Sequence, residues 1–504
     1  MKLKKRKESL RISLIKKSKL FDAQWYLANN PDVLINGIKP EEHYYKYGWK
    51  ENRDPSEQFI TSEYFQINPD IKAARICPLY HYESSGKFEG RNYRVDIKDN
   101  IYFEPTEKEW KQYKKRLKKA INKEKSDAKE IKIDNKKILF KTFQSDYTCN
   151  PKYICEEILK RKLDYDIVWI CKDIKKVMSH FPSEVRLVQD GTIQAKHEIY
   201  SAKVLVDNGS SFFRFSELKK KGQVSLCTWH GSLGFKKLIG NKLKSKKSLR
   251  TAKLYGEIND YVISNSTFED KVFRESYWPY NKFIKCGHPR NDILVNNDAD
   301  TNRIIKNKVY KNLGIDFESK ILLYAPTFRE KLIDGSSEGE NNEYVDVDYI
   351  ALADILKEKF GDNWIIIMRV HFVNASDNEY MESLPDICVN GTDYPDIQEL
   401  MVAADVALTD YSSWILDFMF TKKPAFLYTP DCDEYELQRG FYYPLQEAPF
   451  DIAKDNKQLA EIILSFDEKK YIERVDKFLI DKGSREDGNG SKVVADKIIS
   501  ILGK

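Results

Sequence analysis

Short apolar runs alternate with longer amphipathic stretches from residue 138 to the end of the chain. A first set of runs is followed by the polar stretch 296–318 and then by a second set. Apolar strands that alternate with helical patterns form parallel sheets with helices on both faces. The pattern therefore predicts two doubly wound α/β lobes in series, at 138–300 and 301–504, with a cleft between them. The predicted strands are Ile138–Phe143, Asp166–Cys171, Val185–Val188, Lys203–Val206, Val224–Thr228, Tyr261–Ser264 and Phe283–Lys285, then Ile321–Tyr324, Trp364–Arg369, Ile387–Val389, Val406–Thr409 and Ala425–Tyr428.

A tandem repeat precedes the lobes. Asn30-Pro31-Asp32 returns as Asn68-Pro69-Asp70, and His43-Tyr44 returns as His81-Tyr82, each 38 positions later. Two copies of one small unit therefore cover 21–93. Their many aromatic residues predict a compact, mainly helical core. The Lys/Glu-rich segment 94–137 is typical of an exposed helix or linker.

Composition limits the class of protein. The 504 residues are 32% charged, with a net charge of +6, and no apolar run approaches the ~20 residues that span a bilayer. The basic segment 1–20 lacks the apolar core of a signal peptide, so we expect a cytoplasmic chain. That segment could be a helix on anionic lipid or a solvated tail. Eight scattered cysteines fit buried thiols, so neither a disulfide framework nor a metal site is predicted.

Polar residues occupy the turn between the strand Val406–Thr409 and the apolar stretch that begins at Trp414. Ser412 or Ser413 suits the N-cap of a helix over 414–420. The free N–H groups at a helix start attract phosphate, and this is the usual ligand position in an open α/β sheet. An ordinary capped turn is the alternative interpretation.

Other residues with useful chemistry also follow predicted strands. An imidazole can exchange protons near neutral pH, and a guanidinium binds phosphate through two hydrogen bonds. We expect the two arginines and His371 to line one pocket with Ser412 and Ser413. Structural histidines and rim salt bridges are the alternatives. The residues are His230, His288, His371, Arg329 and Arg369.

The stretch Phe235–Arg250 carries seven cations and no acid. It is either a solvated helix or a patch beside His230 that meets a polyanionic acceptor or anionic lipid. Nothing resembles a module that reads nucleic acid. The sequence also lacks GxxxxGK[ST], HExxH and GxSxG, which argues against P-loop, zincin and serine-hydrolase chemistry. The seven cations are Lys236, Lys237, Lys242, Lys244, Lys246, Lys247 and Arg250.

Six ordered motifs resemble the CDP-glycerol glycerophosphotransferase family of teichoic acid synthesis, and the resemblance runs from residue 138 to the C-terminus. A later segment, Arg439-Gly440-Phe441-Tyr442, fits the same pattern. The tandem repeat resembles modules appended to bacterial cell-surface glycosyltransferases. The six motifs are Thr228-Trp229-His230-Gly231, Ser264-Asn265-Ser266, Gly287-His288-Pro289-Arg290-Asn291-Asp292, Ala325-Pro326-Thr327-Phe328-Arg329, Arg369-Val370-His371 and Thr409-Asp410-Tyr411-Ser412-Ser413.

The resemblance implies a GT-B fold and a peripheral enzyme on the inner face of the cell membrane. It implies transfer of glycerol or ribitol phosphate from CDP-glycerol or CDP-ribitol to a lipid-linked acceptor, with release of CMP and without a cofactor. His230 would be the general base and His371 a second catalytic residue at the donor diphosphate. Thr327, Arg329, Arg369, Ser412 and Ser413 would bind that diphosphate, and Asp410 and Asp417 would shape its pocket. Further candidates are His288, Arg290, Ser264 and Arg439.

Two alternatives to this transferase remain open. One is a GT-B glycosyltransferase that uses a nucleotide sugar, and the other is an inactive scaffold whose repeats dock other wall-polymer enzymes. The chain also departs from the family pattern after His230-Gly231, where the family commonly has Thr-Pro-Leu-Lys and this chain has Ser232-Leu233-Gly234-Phe235. The difference places the identity of the acceptor in question more than the chemistry.

Overall fold

The computed structural model describes residues 2–94, 106–209, 212–238, 246–327, 347–370, 383–432, 435–436 and 440–503, without the side chains of 2–7, Ile35, Trp110 and 246–251. The chain divides into two compact units. One contains residues 1–123, and the other contains most of the chain from residue 124 on. Within the described ranges, no helix is both long enough and apolar enough to cross a membrane.

The first unit is helical. Its basic N-terminal segment forms a helix whose residue Ile15 is buried, and Arg11 donates a hydrogen bond to the Tyr45 hydroxyl at 3.0 Å. The solvated-tail interpretation is therefore wrong for this segment. The helices are α1 (Lys2–Lys16), α2 (Ala23–Asn29), α3 (Pro31–Ile35), α4 (Pro40–Lys46), α5 (Thr61–Ile67), α6 (Pro69–Ala73), α7 (Pro78–Ser84) and α8 (Glu107–Lys129), which continues into the second unit.

Equivalent contacts recur 38 residues apart in this unit. Tyr26 and His43 lie 3.0 Å apart, hydroxyl to Nδ1, and Tyr64 and His81 lie 2.7 Å apart through the same atoms. Both histidines are buried. Each therefore orders the core of its own copy.

The second unit begins with a seven-stranded parallel sheet, in the order β3-β2-β1-β4-β5-β6-β7. All seven predicted strands of this lobe are present, although the first begins at Asp134, inside the segment predicted as linker. Its strands are β1 (Asp134–Lys141), β2 (Asp166–Cys171), β3 (Arg186–Gln189), β4 (Ala202–Asp207), β5 (Val224–Cys227), β6 (Tyr261–Ser264) and β7 (Lys282–Lys285), and its helices are α9 (Cys149–Lys160), α10 (Ile174–Val177), α11 (Ile193–Ser201), α12 (Lys246–Ile258), α13 (Thr267–Arg274) and α14 (Asp292–Asn296).

A second parallel sheet follows, in the order β10-β9-β8-β11-β12-β13. The five predicted strands are present, and the sequence missed β13, a short edge strand that is only partly buried. The strands are β8 (Ser319–Tyr324), β9 (Asn363–Met368), β10 (Cys388–Asn390), β11 (Val406–Thr409), β12 (Ala425–Tyr428) and β13 (Asp451–Ala453), and the helices are α15 (Ala299–Leu313), α16 (Tyr349–Phe360), α17 (Ile397–Ala403), α18 (Trp414–Phe418), α19 (Asn456–Leu464) and α20 (Glu468–Lys482).

The chain then returns to the first lobe. Helix α21 (Gly490–Leu502) packs Val494 and Ile498 into the same core as Trp169 of β2. The two predicted Rossmann-like lobes are thus confirmed, with a final helix that crosses between them. The strand order reverses between β1 and β4 in one lobe and between β8 and β11 in the other, and such reversals mark ligand sites in open α/β sheets.

Candidate active site

His230 lies in the turn after β5, beside the end of β4. Its Nδ1 is 2.6 Å from the backbone carbonyl oxygen of Asn208. A carbonyl only accepts hydrogen bonds, so Nδ1 carries the proton and Nε2 keeps its lone pair. Among the described residues, none forms a hydrogen bond with Nε2. The geometry therefore presents Nε2 as an available proton acceptor.

The imidazole ring is held on several sides. The ring centroids of Phe143 and Trp229 lie 4.8 Å and 4.2 Å from that of His230. Gly209 has φ +110°, and a Cβ there would come within 3.2 Å of His230 Nδ1. A side chain at position 209 would therefore be strained and would also push the ring.

The electrostatic environment keeps His230 neutral. Surrounding protein lowers its pKa to about 4, the Asn208 carbonyl opposes this shift, and the positive charges of Arg290 and His288 add to it. Even so, His230 remains exposed to solvent. Its ring is unprotonated at pH 7.

His288, by contrast, is fully buried. Its Nε2 lies 3.1 Å from a carboxylate oxygen of Glu269. Burial alone would lower the pKa of His288, but the Glu269 charge outweighs it and raises the pKa. Ser264, another candidate, is also buried and donates its hydroxyl to Asp270 at 2.7 Å. Both side chains support the fold around the site.

Arg290 and Asp417 join the two lobes. Arg290 follows β7 and donates from Nε to Asp417 Oδ2 at 2.9 Å, and Asn291 Nδ2 lies 3.1 Å from Oδ1 of the same carboxylate. Both members of the ion pair are buried. Asp417 therefore forms an ion pair with Arg290 where the two lobes meet.

Asp410 organises the reversal point of the second sheet. Its carboxylate accepts the backbone N–H of Thr327, after β8, at 2.9 Å, and also that of Tyr411. The prediction that a serine side chain caps the next helix is wrong: Ser413 occupies the N-cap position, but no side-chain capping bond forms. The reason is its backbone, with φ −71° and ψ −10°, because side-chain capping requires an extended residue. The helix itself ends at Phe418, where a 3₁₀ turn over Met419–Thr421 continues it.

Arg369 is a cation with neutral partners. Its Nη1 lies 2.9 Å from the Gly391 carbonyl oxygen and 2.5 Å from that of Tyr394. Burial lowers the pKa of Arg369 to about 10, although nearby carboxylates such as Asp396 oppose the shift. In the part of the chain that the structure describes, no carboxylate forms an ion pair with it. Nε and Nη2 of this guanidinium can therefore take an anion.

The segment after His230 reaches the second lobe. A Cβ built on Gly234 would lie 3.4 Å from Ser413 Cβ. The backbone N–H of Tyr442 donates to the Phe235 carbonyl at 2.7 Å, and that of Lys237 donates to the Gly440 carbonyl at 3.0 Å. The structure thus brings Gly234 beside the serine turn, and Lys236 and Lys237 beside Phe441 and Gly440 of the second lobe.

Several predicted site residues cannot be placed. Those outside the described residues are Arg329, His371, Arg439, Lys242 and Lys244, and those with a described backbone in α12 but no described side chain are Lys246, Lys247 and Arg250. Their roles stay predictions. Among the side chains that are described, no three His, Cys, Asp or Glu residues are grouped as metal ligands would be.

The sequence did not single out two polar residues near the site, the partly buried Glu486 and the fully buried Asn150. Glu486 accepts hydrogen bonds from Asn265 Nδ2 at 2.7 Å and Asn291 Nδ2 at 2.9 Å, and burial raises its pKa to about 7. Asn150 bonds to the His230 turn from 79 positions away. Asn208, whose carbonyl binds His230, could have been found from the sequence. It follows the predicted strand Lys203–Val206 in Asp207-Asn208-Gly209.

Known proteins resemble this chain over most of its length. A family model described as CDP-Glycerol:Poly(glycerophosphate) glycerophosphotransferase matches residues 126–500. A teichoic acid poly(glycerol phosphate) polymerase of Staphylococcus epidermidis is 28% identical over 73% of this chain and 51% of its own length. A teichoic acid glycerol-phosphate transferase of Staphylococcus aureus is 28% identical over 73% of this chain and 94% of its own. The chain thus spans about half the length of the first relative and nearly all of the second.

A solved structure supports the same likeness. The wall teichoic acid polymerase TagF superposes with a TM-score of 0.63 at 26% identity, over 78% of this chain and 96% of that chain. The similarity therefore extends through both lobes in fold as well as in sequence.

Proposed function

Because the chain belongs to the CDP-glycerol:poly(glycerophosphate) glycerophosphotransferase family, we propose that it transfers glycerol phosphate from CDP-glycerol to a hydroxyl group and releases CMP. The names of the relatives point to an acceptor chain of teichoic acid synthesis, and in this proposal that chain is lipid-linked. The open Nε2 of His230, with its tautomer set by the Asn208 carbonyl, is the observation that carries this proposal.

His230 acts as the general base in this proposal. The acceptor oxygen attacks the phosphorus that bears glycerol, its proton passes to Nε2, and the bond from that phosphorus to the bridging oxygen breaks, so that CMP leaves. A positioned base of this kind typically contributes ~10²–10⁴-fold. A pKa of about 4 makes the free imidazole a weak base, but a bound diphosphate raises it because an anion stabilises the imidazolium.

The second lobe holds the donor. Arg369 supplies a guanidinium without a carboxylate partner among the described residues, and Asp410 holds the backbone of Thr327 in place. Both lie where the strands of the second sheet end, the usual position of a ligand. Charge on the transferred and leaving phosphates requires such cations and N–H groups. Ser412, Ser413, Arg329 and His371 complete the proposed donor set.

The first lobe faces the acceptor. Lys236 and Lys237 continue the loop that carries His230 and meet the second lobe at Gly440. A polyanionic acceptor is attracted to cations at this position. We assign the rest of the cationic stretch to the same acceptor and to the anionic membrane surface in which its lipid is anchored.

CMP release by the purified full chain tests the proposal. CDP-glycerol, CDP-ribitol and a UDP-sugar are each supplied with a lipid-linked glycerol-phosphate acceptor. We expect CMP from CDP-glycerol, and a fall of at least ~10²-fold in H230A. H197A is the matched control, because His197 is exposed on α11 of the same lobe. CMP release from CDP-ribitol alone would mean that CDP-ribitol, and not CDP-glycerol, is the donor. Consumption of the UDP-sugar alone, or equal rates in H230A and wild type, would contradict the proposal.

A further inference from the structure

Asn150 is a fully buried residue in the first turn of α9. Its Nδ2 lies 3.1 Å from the carbonyl oxygen of Thr228 and 3.1 Å from that of Trp229. Its Oδ1 accepts the backbone N–H of Arg290 at 3.1 Å. Since carbonyls only accept and backbone N–H groups only donate, these partners fix which end of the amide is nitrogen. The amide thus bridges two turns.

One of these turns is strained. Trp229 has φ +53°, in the left-handed region that is unfavourable for a residue with a side chain. Such a conformation persists only where surrounding contacts enforce it. The indole packs against Trp278, with ring centroids 5.2 Å apart, and the Asn150 amide holds the backbone carbonyl. His230 is the next residue, so the position of its Nε2 depends on this turn.

The other turn connects to the second lobe. Nδ2 of Asn150 also lies 3.2 Å from His288 Nδ1. On the other side of that ring, His288 Nε2 lies 3.1 Å from a carboxylate oxygen of Glu269. Arg290, whose N–H the same amide binds, pairs with Asp417 of the second lobe. Asn150 thus lies between the His230 turn and the interlobe ion pair.

We propose that Asn150 is a positioning residue for the transfer reaction. It orients His230 by holding the left-handed turn at Trp229. This inference rests on the proposed function. Asn150 is fully buried and contacts the backbone of the turn that precedes His230. Its effect on the reaction rate therefore passes through His230. A misplacement of ~1 Å at the reacting groups can cost ~10²-fold in rate. Donor binding depends on the second lobe and should change little.

The experiment compares N150A with N281A. Asn281 is also a buried asparagine of the first lobe, and its Nδ2 donates to the Gly256 carbonyl at 3.0 Å and to that of Asn259. Both variants lose similar backbone hydrogen bonds, but only N150A releases the His230 turn. For N150A we expect kcat per folded molecule to fall about 10–100-fold, with KM for CDP-glycerol within about 3-fold of wild type. N281A should keep kcat near wild type.

A second measurement does not depend on activity. An NMR titration of the His230 imidazole, assigned with H230Q, should give a pKa near 4 in wild type and in N281A. In N150A the pKa should be displaced toward ~6.5, because a ring that moves with the loosened turn leaves the protein groups that lower its pKa. If wild type releases no CMP and this displacement occurs, the proposed function fails and the positioning role stands. An unchanged His230 pKa in N150A, or a kcat within about 3-fold of wild type, would overturn the inference. If N150A does not fold, N150D replaces it, since Asp keeps the acceptor for Arg290 N–H and loses the donor.

Discussion

Arg290 of the first lobe and Asp417 of the second lie 2.9 Å apart, Nε to Oδ2, and both are almost completely excluded from solvent. A charged pair in such a place is costly to break, because the remaining partner is left buried without compensation. The pair therefore holds the lobes together beside the turn that carries His230.

The first prediction concerns this pair. D417A should lower the free energy of unfolding by about 3–5 kcal/mol, since it leaves the Arg290 guanidinium unpaired. Urea denaturation measures the loss. The control is D451A, because Asp451 pairs with Arg474 at 2.6 Å on the partly exposed edge of the second sheet, where a pair contributes about 0–1 kcal/mol. Equal losses in the two variants would contradict the assigned role of Asp417.

The second prediction concerns the close approach of Gly209 to His230. G209A should lower CMP release at least ~10-fold, because its methyl group would meet the imidazole at Nδ1. G191A is the matched control: Gly191 also has a positive φ, +76°, but a Cβ there would meet nothing within 4 Å. Both variants place a side chain at a positive φ, but only G209A should lose activity per folded molecule. A full rate in G209A would show that the ring can move without consequence.

The strands and their order of appearance could be predicted from the sequence, because the central strands are apolar runs buried on both faces. β13 was missed since Asp451, Ile452 and Ala453 form only a short, partly buried edge. His230 was singled out because it lies two positions after a recognisable strand, and its predicted role as the base came from the family resemblance. Asn208, the hydrogen-bond partner of His230, also follows a predicted strand and could have been found in the same way.

Other features of the site have no local signal. Asn150 and Trp229 lie 79 positions apart and Arg290 lies 140 positions from Asn150, so only the fold brings them together. The prediction that a serine side chain caps the next helix was wrong because it depended on a backbone conformation that the sequence does not show. Ser-Ser before an apolar stretch predicts a cap, but the backbone at Ser413 is already helical, and Asp410 orders the turn instead.

The third prediction concerns donor binding by Arg369. R369M should weaken CDP-glycerol binding about 10–100-fold, because a charged hydrogen bond to phosphate contributes about 1.5–3 kcal/mol. Isothermal titration calorimetry measures the affinity. R474M is the control, since Arg474 pairs with Asp451 on the partly exposed edge of the second sheet and should bind as wild type does. Unchanged affinity in R369M would remove Arg369 from the donor site.

The central claim is that His230 accepts the proton of the attacking hydroxyl. It is tested most directly by the pH dependence of kcat/KM for CMP release, which reports ionisations of the free enzyme. Its lowered pKa keeps the imidazole unprotonated down to about pH 4, so the rate should hold from pH 7 downward and fall only as the pH approaches 4. The residual rate of H230Q should lack this fall. An acid limb near the ordinary histidine value of ~6.5 that H230Q lacks, or a limb near pH 4 that H230Q keeps, would contradict the assignment of His230 as the base.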